Sequence, residues 1–135
     1  MNMRITFPGG RRVDAAFGGH TLTTDQTADN GIAAAGPSPF DLFLASIGTC
    51  IGYYIMAFCS RHDLATDDIE LLLSAPWERE RKRVPRIDIA VRFPTEFPDR
   101  FVAPCLRAAE GCTVKRHLET PPEIHVIGEQ RDATA

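Results

Sequence analysis

This sequence carries few of the features that identify nucleic-acid-binding, secreted or zinc-binding proteins. Its net charge is -3 at pH 7 and its pI is near 5.8, so it lacks the basic surface that binds nucleic acid. Neither Cys-x-x-Cys nor any other paired spacing of zinc ligands occurs. The N-terminus lacks a long apolar region followed by a small-residue cleavage site, so we expect a cytoplasmic protein. With no repeat or low-complexity segment, we expect one domain over residues 1–135.

One long apolar run raises the question of a membrane span. It covers residues 40–58, close to the ~20 residues that a membrane-spanning helix needs. Asp41, Gly48 and Gly52 interrupt it, together with two tyrosines and several hydroxyl side chains. We therefore predict a buried helix of a soluble protein, with no membrane as partner.

Turn signals divide the chain into short strands and helices. Pro8-Gly9-Gly10 and Gly18-Gly19 are typical hairpin turns, which predicts a three-stranded N-terminal meander. Ser38 is the predicted N-cap of a long helix that begins at Pro39. The predicted strands are residues 4–7, 11–17, 20–25, 69–77, 84–93 and 123–127. The other predicted helices are residues 97–110, which Pro104 should kink or split, and 112–118. Residues 26–38 and 130–135 are a predicted loop and a predicted frayed tail.

The long helix is predicted to be apolar nearly all round. One face carries apolar side chains at helical spacing, and the other face carries further ones. The first set is Phe43, Ile47, Cys50, Ile51, Tyr54 and Phe58, and the second is Leu44, Met56 and Cys59. Such a helix must be surrounded by its own chain or by a partner subunit. Because strands and helices come in blocks, we predict an α+β fold with this helix packed on an antiparallel or mixed sheet.

Four cysteines in a cytosolic chain are expected to be reduced thiols. Cys50 and Cys59 lie nine residues apart, which on one helix means about 13.5 Å of rise and opposite faces. A disulfide needs Cα atoms closer than about 7 Å, so these two cannot pair, and Cys59 is predicted to be a core residue. Cys105, beside Pro104, is predicted to be structural. Cys50, flanked by Gly48 and Gly52, is the candidate reaction centre, and Cys112 is a second thiol that could meet it in the fold.

Two segments of the chain resemble a known family. Gly36-Pro-Ser-Pro-Phe-Asp-Leu-Phe-Leu-Ala-Ser-Ile-Gly-Thr-Cys50, together with Glu110-Gly-Cys112-Thr-Val-Lys-Arg-His-Leu118 and the closing Pro-Glu-Ile, is similar to the osmotically inducible protein C and organic hydroperoxide resistance (OsmC/Ohr) superfamily. The resemblance extends to the order of elements along nearly the whole chain. It implies an intertwined α+β homodimer with two-cysteine sites at the subunit interface.

The resemblance also implies an activity and its partners. In the peroxidase members the first cysteine attacks an organic hydroperoxide, so Cys50 would become a sulfenic acid and Cys112 would condense with it to a disulfide. An external dithiol, of lipoyl or thioredoxin type, would then reduce that disulfide. Cys50 lies too far from the start of its helix to be helped by the helix dipole, so a cation is expected beside it. The resemblance suggests Arg11 for this cation, with Arg12 as the alternative.

The chain departs from the peroxidase pattern at the helix start. Phe40 occupies the position where that branch typically has a glutamate that orients the arginine, and the acid, Asp41, comes one residue later. One residue is about 100° of helix rotation, so Asp41 is either a member of the site or a partner of the helix dipole. Thr113 stands where many members have proline. Both departures place the chain nearer the general branch of the superfamily.

Other readings of the same residues remain open. A non-enzymatic member could bind a small apolar ligand or sense redox state through the same thiols, and a purely structural dimer would only pack them. Trp77 and the tyrosines are expected to be packing residues, or else to line a pocket for an apolar peroxide. His62 and His117 could ligate a metal with Cys59 and Cys112, but four convergent ligands are not apparent, so neither a metal nor a cofactor is predicted.

Overall fold

The computed structural model describes residues 1–26 and 33–130, and its elements come in the predicted order up to residue 119. The strands are β1 (Arg4–Gly9), β2 (Arg12–Phe17), β3 (His20–Thr24), β4 (Glu70–Ser74) and β5 (Asp88–Arg92). The helices are α1 (Pro39–Arg61), α2 (Asp99–Ala109) and α3 (Thr113–Glu119). The α+β class is confirmed. The predicted loop at 26–38 and the predicted tail at 130–135 lie partly outside the described residues.

The N-terminal meander forms as predicted and is amphipathic. β1, β2 and β3 pair antiparallel in that order, through turns in which Gly9, Gly10, Gly18 and Gly19 all have positive φ. The register aligns Ile5 with Ala15 and Ala15 with Leu22 across the three strands, which places these apolar side chains on one face. That face is poorly covered by its own chain, since Ile5 is 52% exposed and Leu22 41%.

The helix α1 begins where the sequence predicts, and a complete capping box fixes its start. The hydroxyl of Ser38 accepts from the backbone N–H of Asp41 at 3.1 Å, and the Asp41 carboxylate accepts from the backbone N–H of Ser38 at 2.8 Å. Pro39 occupies the first turn, where its missing N–H costs no helical hydrogen bond. These local contacts are encoded in four consecutive residues, which explains why the boundary could be predicted.

Two helices and a hairpin pack against α1 and form the core. The most buried row of α1 is Ile47, Ile55 and Cys59, with Ile51 partly buried between them. This row is rotated from the predicted stripe that contains Cys50 and Tyr54, because α2 covers the Cys59 side. Burial of Cys59 and Cys105 in this core confirms their prediction as interior residues. Although α1 is long and apolar enough to cross a membrane, it lies here among α2, α3 and β4.

The second sheet is the antiparallel hairpin β4–β5, which is shorter than predicted. The predicted strands at 69–77 and 84–93 are paired only over Glu70–Ser74 and Asp88–Arg92. The intervening tip is charged, as expected, and an isolated bridge between Glu78 and Arg83 closes it. A broad loop therefore stands between the strand ends and the tip, beside the start of α1.

Two predictions for the C-terminal half differ from the structure. Of the two effects predicted for Pro104, a split does not occur: α2 runs as one helix from Asp99 to Ala109, and the proline removes only one backbone donor. The predicted strand at 123–127 is absent from the described chain: these residues have no regular structure. Ile124 and Val126 are 85% and 97% exposed, because no neighbouring strand of the same chain pairs with this segment.

Candidate functional site

The fold brings Cys50 and Cys112 into contact. Cys50 lies on α1 and is half-buried, while Cys112 is fully buried and forms the N-cap of α3. The Cys112 thiol lies near enough to the Cys50 sulfur to lower the pKa of Cys50. Of the two, only Cys50 offers its sulfur to a reagent from outside. This pair is separated by 62 residues of sequence (112 minus 50), so its contact is a product of tertiary packing.

The two thiols of this pair have opposite acidities. Burial alone raises the pKa of Cys50, but the backbone N–H of Val114, the Cys112 thiol, the backbone N–H of Thr113 and the charge of Arg116 together lower that pKa below its ordinary value. Burial and the neighbouring Cys50 raise the pKa of Cys112, despite the backbone N–H of Lys115. The arrangement therefore favours a thiolate on Cys50 and a thiol on Cys112 that donates to it.

The first turn of α3 supplies the groups that stabilise the Cys50 thiolate. Sequence reasoning correctly excluded the dipole of α1, but it missed the backbone donors of a second helix that α1 meets side-on. The Cys112 sulfur itself accepts from the backbone N–H of Lys115 at 3.3 Å, which fixes Cys112 as the cap. One signal could have revealed this: the predicted short helix over residues 112–118 begins at Cys112, so any thiol that meets Cys112 also meets the N–H groups of the first turn.

A close contact with α1 holds α3 in place. The Tyr54 hydroxyl and the Thr113 hydroxyl are 3.0 Å apart and share a hydrogen bond. Gly111 allows this approach, since a Cβ at that position would lie 3.2 Å from the Tyr54 ring and 3.2 Å from the carbonyl oxygen of Ala108. Tyr54, which is one turn after Cys50 on α1, therefore anchors the segment that carries Cys112.

The positive charge that lowers the pKa of Cys50 comes from α3 and not from the meander. Arg116 lowers the pKa of Cys50 by its charge. Arg11 is the predicted cation. It lies with Arg12 beside the β1–β2 turn, where the charges of both arginines help to lower the pKa of Asp25. The pKa of that carboxyl is lowered first by the backbone N–H groups of Ala35 and Gln26 and then by these arginines. Within one chain, the structure does not bring Arg11 to the cysteine pair.

Asp41, the fourth predicted site residue, is occupied at the helix start. Its carboxylate accepts hydrogen bonds from the backbone and the hydroxyl of Ser38, each at 2.8 Å, and these hydrogen bonds lower its pKa. It precedes Cys50 by nine residues of the same helix, which is about 13.5 Å along the axis. Its place in the capping box at the helix N-terminus, where a partner of the helix dipole would also lie, accounts for all of its described contacts.

The other two cysteines form a separate pair inside the core. Cys59 and Cys105 are both fully buried in the same core cluster, and each affects the pKa of the other. Burial raises the pKa of Cys59, and burial together with Cys59 raises the pKa of Cys105 to about 11. Thiols held protonated in this way are weak nucleophiles, so this pair contrasts with the Cys50 site. In the described part of the chain, no three His, Cys, Asp or Glu side chains converge as metal ligands.

Comparison with known proteins places this geometry in a family context. The sequence model of a family described as OsmC-like protein matches residues 29–127. No curated protein sequence matches the chain significantly. Among solved structures, a putative osmotic stress induced and detoxification response protein from Psychrobacter arcticus is 21% identical, with a TM-score of 0.72 and coverage of 86% of both chains.

Two further structures carry names that refer to peroxide resistance. The organic hydroperoxide resistance protein OhrB of Bacillus subtilis is 21% identical, with a TM-score of 0.51 over 87% of this chain and 90% of its own. An organic hydroperoxide resistance protein OsmC from Legionella pneumophila is 16% identical, with a TM-score of 0.52 over 87% of this chain and 89% of its own. At these identities the likeness establishes the shared fold.

Proposed function

Since the chain belongs to the OsmC-like protein family, we propose that it is a thiol-dependent peroxidase that reduces organic hydroperoxides, with Cys50 as the attacking thiol and Cys112 as the resolving thiol. One observation carries the proposal: a partly exposed thiol of lowered pKa lies beside a buried thiol of raised pKa. A nucleophile needs exposure and a thiolate, and its resolving partner needs proximity.

The reaction proceeds in three balanced steps. The Cys50 thiolate attacks the distal oxygen of the hydroperoxide, so the O–O bond breaks and the OH group stays on Cys50 as a sulfenic acid. The alkoxide leaves and takes up one proton from water to become the alcohol. The Cys112 sulfur then attacks the Cys50 sulfur, which forms the disulfide and releases water. An external dithiol of lipoyl or thioredoxin type reduces this disulfide and becomes oxidised itself, which returns both thiols.

The surroundings of the pair serve the first two steps. The N–H groups of Thr113 and Val114 and the charge of Arg116 stabilise the attacking thiolate. Because Cys112 lies beside Cys50, the second step joins two neighbouring sulfurs. Tyr54 binds Thr113 and so holds the neighbouring Cys112 against α1, close to Cys50. The protein needs no bound cofactor for this chemistry, since the electrons come from thiols.

The proposed functional unit is an intertwined homodimer in the cytoplasm. Several apolar surfaces of the described chain lack a cover, among them the meander face with Ile5 and Leu22, the groove between α1 and the hairpin β4–β5, and the exposed segment around Ile124 and Val126. Exposed apolar areas of this extent mark protein interfaces. A second copy supplies matching surfaces, and it also offers strand edges to residues 123–127. Docking of the partner meander would further decide which cation, Arg11 or Arg12, joins Arg116 at the site.

The test is turnover with a defined donor. Reduced protein is mixed with cumene hydroperoxide and dihydrolipoamide, or with reduced thioredoxin, and peroxide loss is followed. We expect multiple turnovers and, without donor, a Cys50–Cys112 disulfide in the mass spectrum. Cys50→Ser should abolish turnover, while Cys112→Ser should stop after one cycle with a dimedone-reactive Cys50. Cys59→Ala is the matched control and should turn over normally.

Two results would separate the proposed peroxidase from a redox sensor. Absence of both turnover and the Cys50–Cys112 disulfide refutes it. A single slow oxidation to that disulfide, with no recycling by either dithiol, would identify a redox sensor instead, because a sensor uses the same thiols without a catalytic cycle.

A further inference from the structure

A cavity between the start of α1 and the loop of the β4–β5 hairpin has no part in the thiol chemistry. Its volume is about 550 Å³, within the ~300–1,000 Å³ typical of small-molecule sites. Phe40, Phe43 and Trp77 line it, together with Val84 and Ile87. Phe43 precedes Cys50 by seven residues, which is about 10.5 Å of rise along α1. Neither Cys50 nor Cys112 lines the cavity, so a ligand bound there is independent of the proposed peroxidase activity.

The aromatic wall of this cavity is built but left open to solvent. Phe40 packs edge-on against Trp77 with ring centroids 6.1 Å apart, and it packs against Phe43 at 5.3 Å. Trp77 is nevertheless 55% exposed and Phe40 41%. Two large aromatic rings that hold a defined arrangement and still face water offer a preformed apolar surface.

Positive charge lies at the edge of the same cavity. Lys82 and Arg83 are the charged residues among those that line it, and no acidic side chain does so. Arg83 forms an ion pair with Glu78 at 3.4 Å, and Glu78 forms a second ion pair with Arg81 at 3.4 Å. Within the described residues Lys82 makes no ion pair, so it presents one unneutralised positive charge beside the aromatic wall.

We propose that this cavity binds an amphipathic aliphatic monocarboxylate, with the carboxylate at Lys82 and the chain against Phe40, Phe43 and Trp77. The single uncommitted charge matches a single carboxylate, and the aromatic wall matches an apolar chain. The groove between α1 and the β4–β5 hairpin differs in this respect. Its lining, which includes Leu44, Leu71 and Leu73, carries no charged side chain, so it suits a protein surface and not an anion.

The single tryptophan of the chain, Trp77, provides a direct readout. Decanoate is titrated into the full-length protein while Trp77 fluorescence is followed, with decanol as the uncharged analogue of equal chain length and octanoate as the shorter acid. Decanoate should bind about tenfold more tightly than octanoate, because two methylenes leave water. It should bind about three- to fivefold more tightly than decanol, since an exposed ion pair contributes at most modestly.

The variant Lys82→Gln isolates the charge contribution. It should reduce decanoate affinity to that of decanol and leave decanol binding unchanged. Because Lys82 is exposed at a hairpin tip, the substitution should not disturb folding. Arg79→Gln removes a neighbouring positive charge that does not line the cavity, so it should leave both affinities unchanged.

Three outcomes would overturn the proposal. One is equal affinity of decanoate and decanol for the unaltered protein. Another is an equal loss of decanoate binding in Lys82→Gln and Arg79→Gln, which would indicate diffuse surface charge. The third is a complete absence of binding by fluorescence and calorimetry, as expected if a second copy fills the cavity. None of these results bears on turnover of cumene hydroperoxide, so the two proposals fail separately.

Discussion

The substitution Gly111→Ala tests how tightly the segment before Cys112 is packed on α1. An added Cβ would lie 3.2 Å from the Tyr54 ring and 3.2 Å from the Ala108 carbonyl oxygen, both closer than ordinary van der Waals contact. Neither neighbour can move freely. The Ala108 oxygen accepts from the Gly111 N–H at 3.1 Å, and the Tyr54 hydroxyl is bound to Thr113.

The expected loss of stability follows from two opposing effects. Overpacking at a site that cannot relax costs about 1–3 kcal/mol. Replacing glycine by alanine returns about 0.4–1 kcal/mol, because the unfolded chain loses conformational freedom. The free energy of unfolding should therefore fall by about 1–2 kcal/mol, measured as a lower urea midpoint at unchanged m-value. A displaced Cys112 should also slow formation of the Cys50–Cys112 disulfide by about tenfold or more.

Gly128→Ala is the matched control, since nothing lies within 4 Å of the added Cβ there. It should leave the urea midpoint and the disulfide rate unchanged. If Gly111→Ala were as stable as the unaltered protein, or formed the disulfide at the same rate, the packing of Gly111 against Tyr54 would not position Cys112 and our account of the site would be wrong.

Three further predictions follow from the same structure. Tyr54→Phe removes the hydrogen bond to Thr113 and should lower the free energy of unfolding by about 0.5–1.5 kcal/mol, with a slower disulfide step; an unchanged disulfide rate would contradict the anchoring role. If the proposed dimer forms through the meander, Ile5→Lys should give a monomer in sedimentation while Thr6→Lys on the opposite face of β1 should not; equal behaviour of the two would refute the proposed interface. Because the pKa of Cys50 is lowered in the folded state, its ionisation stabilises the fold above the unfolded pKa, and this contribution is lost as the pH falls through the folded pKa. Alkylation of Cys50 should accordingly have its pH midpoint below that of an unfolded thiol, and Cys112→Ala should raise it; an unchanged midpoint would show that the Cys112 thiol does not stabilise the thiolate.

Local sequence signals predicted the elements whose boundaries depend on local contacts. The start of α1 is fixed by Ser38, Pro39 and Asp41, which interact with one another within a single turn. The meander turns require positive φ, which the paired glycines adopt without strain. Where a boundary depends on a distant partner, prediction failed: the alternating pattern at 123–127 is that of a strand, but a strand needs a neighbour.

Within the candidate site, the sequence pointed to the two thiols, and the structure showed which groups lower the pKa of Cys50. Helix geometry placed Cys50 on an apolar helix and excluded Cys59 as its partner. The family resemblance pointed to Cys112. The activating groups did not follow, because they are backbone N–H groups of α3 and the charge of Arg116. Backbone donors carry no residue-specific signature, so the one indirect signal for them was the short helix predicted at Cys112.

The sequence by itself therefore determined the order of the elements up to residue 119 and the family, since both depend on residue types at short spacing. The family resemblance singled out Cys50 and Cys112 as the candidate thiols. Only the tertiary structure decided which thiol is exposed, which is buried and why their acidities differ. The reason is physical: a thiol pKa depends on burial and on donors within hydrogen-bond distance, and these come together only when α3 packs across α1.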